Sequence, residues 1–75
     1  MVHAEARLRN GGLAEFDLPD DTMQRIERLR RDGITERGII QKLITDDWGC
    51  PPRFVEFRKE GMPPVVLDYD RKTVV

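Results

Sequence analysis

One cysteine and one histidine in 75 residues leave little material for most site chemistry. Cys50 closes no internal disulfide, and the chain has no Cys/His spacing of the kind that binds zinc. His3 lies near a terminus and reads as a surface residue, and Cys50 has no histidine nearby in sequence to activate it. Asp20/Asp21 and Asp46/Asp47 are more economical as capping and turn residues than as acid–base or metal pairs. No glycine-rich phosphate loop is present, because Asn10-Gly11-Gly12 is better used as a turn. There is no secretory signal and no apolar run long enough to span a bilayer. These absences predict a non-enzyme without cofactor or metal, not embedded in a membrane, in the reducing cytoplasm.

Excess charge of one sign is also missing. Charged residues make up 36% of the chain, yet the formal net charge is only -1. This excludes a histone-like polycation but not a nucleic-acid binder, for which a local basic face matters more than the total. A chain of 75 residues forms one domain, residues 1–75, near the size at which a single core is only just sufficient. A homodimer is the expected remedy.

What is present is a clear alternation of patterns. Val2, Ala4, Ala6 and Leu8 recur with the period of a half-buried strand, and so do Ala14, Phe16 and Leu18. With Asn10-Gly11-Gly12 as the loop, Ala6 falls opposite Phe16, Ala4 opposite Leu18 and Arg7 opposite Glu15, which predicts a hairpin. The competing reading is a frayed helix over residues 4–9. Pro19 ends the strand, and Asp20 or Asp21 can cap a first helix that carries Met23, Ile26 and Leu29 on one face. Arg25, Arg28, Arg30 and Arg31 occupy the rest of that cylinder.

Gly33 is the natural left-handed stop, with Ile34 sealing the corner, and Thr35 caps a second helix. Its apolar face, Ile39, Ile40, Leu43 and Ile44, is expected to run on as far as Trp48. Pro51 and Pro52 can open a third helix over residues 53–60, closed by Gly61. Residues 65–67 and 73–75 read as a terminal hairpin or as one strand with a frayed tail. The predicted fold class is therefore α+β: a small three-helix helix-turn-helix core with an N-terminal β-hairpin and a C-terminal strand or wing hairpin.

The run Ile26, Leu29, Gly33, Ile34, Thr35, Ile39 and Leu43 resembles the first two helices of trihelical helix-turn-helix domains, winged or not, in resolvases, invertases and phage or plasmid regulators. The resemblance implies that the third helix lies in the major groove of double-stranded DNA, with Arg71 and Lys72 on phosphate from a wing. The implied DNA-binding residues are Arg53, Glu56, Arg58, Lys59, Arg37, Arg71 and Lys72, and the implied function is that of a small transcriptional regulator. A ribbon-helix-helix topology is the lesser option, since it would point Glu15 and Asp17 at DNA. The rival function is a protein-interaction module, a phage- or plasmid-encoded adaptor or inhibitor on the same scaffold, motivated by the near-neutral charge and by Trp48, Phe57 and Tyr69. A continuous positive face joining Arg53, Arg58 and Lys59 to Arg71 and Lys72 would favour DNA, and a broken face a protein partner.

Overall fold

A computed structural model describes residues 1–44 and 51–71. The chain runs β1 (Val2–Leu8), β2 (Leu13–Leu18), α1 (Thr22–Arg31), α2 (Glu36–Leu43), β3 (Pro52–Arg58) and β4 (Val65–Asp68). The strands form one antiparallel sheet in the order β2-β1-β3-β4, and both helices pack on one of its faces. Among the described residues, no helix is long and apolar enough to cross a membrane.

The N-terminal hairpin forms, but two residues out of the predicted register. Val2 pairs with Leu18, Ala4 with Phe16 and Ala6 with Ala14. The loop is Arg9-Asn10-Gly11, closed by Leu8 N–H donating to the Gly12 carbonyl at 2.9 Å, with Gly11 at φ +86°. A three-residue hairpin loop needs its left-handed residue in third place, so Gly11 and not Gly12 sets where the strands meet. Because the slip is two residues, every side chain keeps its face. Its cross-strand partner changes: Glu5 now faces Glu15, and His3 faces Asp17.

The corner around Gly33 forms as the sequence predicts. Gly33 adopts φ +85°, its N–H donates to Arg30 and the Ile34 N–H to Leu29, the paired bonds of a Schellman motif. Thr35 then caps α2 by accepting from the Gly38 N–H at 3.2 Å. Asp21 occupies the cap position of α1 but makes no side-chain cap bond, and Asp20 instead pairs with the terminal ammonium. Helix α2 ends at Leu43 and Ile44 is already extended, so it does not continue toward Trp48, which lies outside the described residues.

The predicted third helix is a strand. Residues 52–58 form β3, paired on both sides: Ala4 meets Phe57 and Ala6 meets Val55, while Val55 meets Leu67 and Phe57 meets Val65. The three-helix core is therefore overturned in favour of two helices on a four-stranded sheet. The physical reason lies in Phe54-Val55-Glu56-Phe57, a β-branched and aromatic run whose Val55 and Phe57 alternate inward. A strand there fills the free side of β1, whose Ala4 and Ala6 are too small to build a core alone. Residues 65–68 form the single strand β4, and the other half of the proposed hairpin lies outside the described residues.

The core is one cluster. Val2, Ala4 and Ala6 of β1, Val55 and Phe57 of β3 and Leu67 of β4 meet Met23, Ile26, Ile39, Ile40 and Ile44 from the helical layer. Nothing in the described structure covers the opposite sheet face, which carries His3, Glu5 and Arg7, Glu15 and Asp17, Glu56 and Arg58, and Asp68.

Candidate nucleic-acid interface

The positions expected to touch DNA do not form one surface. Glu56 and Arg58 stand on the open face of β3 and pair with each other at 2.6 Å. Lys59 follows that strand, and its Nζ donates to the Asp20 carbonyl at 2.9 Å. Arg37 is on α2, where its guanidinium lies 4.7 Å from the Tyr69 ring centroid and Nε donates to the Tyr69 carbonyl at 2.9 Å. Arg71 pairs with Glu36 at 3.2 Å, and another oxygen of Glu36 accepts from the Asp68 N–H. Arg37, Glu36 and Arg71 thus staple α2 to the end of β4. Arg53 sits at a shallow hollow beside Phe54, Val66 and Asp68, and Lys72 lies outside the described residues. The expected basic face is broken because these residues fall on different elements and sides, and carboxylate partners neutralise Arg37, Arg58 and Arg71.

Free positive charge gathers elsewhere. Helix α1 presents Arg25 and Arg28 one turn apart, with Leu29 next to them, and Lys42 reaches the same place from the last turn of α2. Together they line an open hollow of about 400 Å³ between the helices. Among the described residues none of these three cations has an ion-pair partner, whereas Arg31 is tied to Glu27 at 3.0 Å. Amphipathic geometry explains the arrangement. Met23 and Ile26 are buried against the sheet, so Arg25 and Arg28, on the far side of the cylinder, face outward. Arg28 and Lys42, in the last turns of their helices, also interact favourably with the helix dipole. The available signal in the sequence was the density of arginine on α1 at i and i+3; the resemblance placed the DNA contacts on other residues.

The open sheet face has the opposite character. Glu15, Glu5 and Glu56 lie side by side across three strands. Beside them the His3 ring approaches Asp17 with Nδ1 at 3.4 Å and Glu15 with Nε2 at 3.2 Å. Those hydrogen bonds, to Asp17 first and then Glu15, raise the imidazole above its ordinary pKa. At the sheet's end, the terminal ammonium beside Asp20 lowers that carboxyl's pKa. Exposed apolar side chains, Leu13, Phe54 and Val66, occupy the rest of the open face.

Fold and surface together define a small α+β domain with a basic helical layer backing an acidic open sheet. No protein family, curated protein or solved structure matches the chain, so the functional argument rests on geometry and charge.

Proposed function

We propose that this domain binds the phosphate backbone of double-stranded nucleic acid through its helical layer, with Arg25, Arg28 and Lys42 as the contacting cations, as a cytoplasmic DNA-binding regulator that works as a homodimer. The observation that carries the reading is that these three cations converge on one hollow and lack intramolecular partners among the described residues. Unpaired Arg and Lys on rigid helices are the groups that release counterions from a duplex, and their contacts position a protein without reading sequence. The acidic sheet face, on the far side, keeps the duplex on the helical side by repulsion.

Fluorescence anisotropy with a labelled DNA duplex, measured across a series of salt concentrations, tests the proposal. The expected result is salt-sensitive binding whose log–log slope becomes shallower by about 2.7 when Arg25, Arg28 and Lys42 are all changed to alanine, at roughly 0.9 per phosphate contact. Absence of salt-sensitive binding, or an unchanged slope in the triple variant, overturns it.

A second reading is a protein-interaction module that uses the open sheet face, and it is favoured by the broken basic face and by exposed Leu13 and Val66 at 49% and 51%. Changing Leu13 and Val66 to serine would abolish such an interaction and leave duplex binding intact.

A further inference from the structure

We propose that His3, Glu5 and Glu15 form a divalent-cation site of the zinc class on the open sheet face, with Asp17 orienting the imidazole. The register places the four residues as two adjacent cross-strand pairs, His3 with Asp17 and Glu5 with Glu15. His3 Nε2 lies 3.2 Å from a Glu15 oxygen and 3.7 Å from a Glu5 oxygen, and all three ligand atoms fall within 4.8 Å of one another. Zinc held tetrahedrally by nitrogen and oxygen at about 2.0 to 2.1 Å sets neighbouring donors roughly 3.3 to 3.4 Å apart. The two distances from Nε2 bracket that separation, and the Glu5 and Glu15 oxygens, within 4.8 Å of each other, sit on side chains that can rotate to close on an ion.

The other ring nitrogen supplies an independent argument. Nδ1 faces Asp17 at 3.4 Å, the outer carboxylate that typically accepts from a metal-bound histidine and fixes its tautomer. With the Nδ1 proton directed at Asp17, the Nε2 lone pair points between the two glutamates. Directly opposed like charges destabilise a strand pair, and Glu5 faces a glutamate on each side, Glu15 and Glu56. Arg58 takes up Glu56 at 2.6 Å. Among the described residues, Glu5, Glu15 and Asp17 make ion-pair contacts with the His3 imidazole alone, which carries at most a single positive charge. A dication bound to one nitrogen and two carboxylate oxygens reduces that imbalance to a single negative charge and leaves its fourth position open to water. The imidazole and the short donor separations favour zinc over magnesium, which wants six oxygen ligands.

Isothermal titration with zinc chloride at pH 7.5 in a non-chelating buffer tests the site on the tag-free chain, in a Cys50→Ser background that removes the lone thiol. One equivalent of zinc is expected to bind, and magnesium is not. His3→Gln and Glu15→Gln should each weaken binding at least ten-fold, and Asp17→Asn about ten-fold. Glu56→Gln should change it less than two-fold, and circular dichroism should show each zinc-free variant folded. Because the chain has a single histidine, zinc must also shift the ¹⁵N resonances of that one imidazole, Nε2 most. No saturable binding, or equal affinity in His3→Gln, overturns the proposal and leaves a protonated His3 as the cation in contact with these carboxylates.

Discussion

Gly33 ends α1 at φ +85°, and a Cβ built there meets nothing within 4 Å. Gly33→Ala therefore carries only the left-handed backbone penalty, about 1 to 2 kcal/mol, with no steric term. A urea midpoint lowered to match, without a change in m, is the expected result. His3 is a second residue whose behaviour follows from its neighbours. Asp17 and Glu15 hold the imidazolium, so the folded state keeps the proton more tightly than the unfolded chain. That contact stabilises the fold fully below the unfolded pKa, and the contribution fades as pH rises through the higher folded value. An NMR titration with a chelator present should place the His3 midpoint above its ordinary value of 6.5, and Asp17→Asn should move it down.

At the scale of elements, β3 is where expectation and structure part. Pro51 and Pro52 are as good a start for a helix as for a strand, and Phe54 and Phe57 are three apart, the spacing of one helix face. In the strand they point to opposite sides: Phe57 is 0% exposed and Phe54 39%. Phe57→Ala should cost about 3 to 5 kcal/mol, while Phe54→Ala should cost less than about 1 kcal/mol. Similar losses at both positions in thermal or urea unfolding would point to a helix instead. The corner between α1 and α2 was legible because its determinants are local, a glycine that accepts positive φ and a threonine cap three residues before Gly38. Strand β3 was not, because its choice depends on β1 offering an unpaired side some 50 residues earlier in the chain.

Over the whole molecule the near-zero net charge hides a division between faces. Arg25, Arg28 and Lys42 collect on the helical side, and Glu5, Glu15, Asp17 and Glu56 on the open sheet. The nucleic-acid and metal proposals occupy opposite faces, and their tests are independent: the alanine triple variant should bind zinc normally, and His3→Gln should bind duplex normally. Five of the residues assigned to DNA by resemblance make intramolecular contacts: Glu56 with Arg58, Lys59 with the Asp20 carbonyl, and Arg37 and Arg71 as staples between α2 and the end of β4.

By itself the sequence determined the N-terminal hairpin's faces, both helices and the turn between them, because period, caps and a left-handed glycine act within a few residues. Only the tertiary structure decided the strand at residues 52–58, the two-residue register of the hairpin and, through that register, the meeting of His3 with Glu5 and Glu15. Strand pairing is settled by partners distant in the chain and by which residue of Asn10-Gly11-Gly12 takes positive φ. A slip of two residues is invisible to hydrophobic alternation, yet it changes which charges face each other.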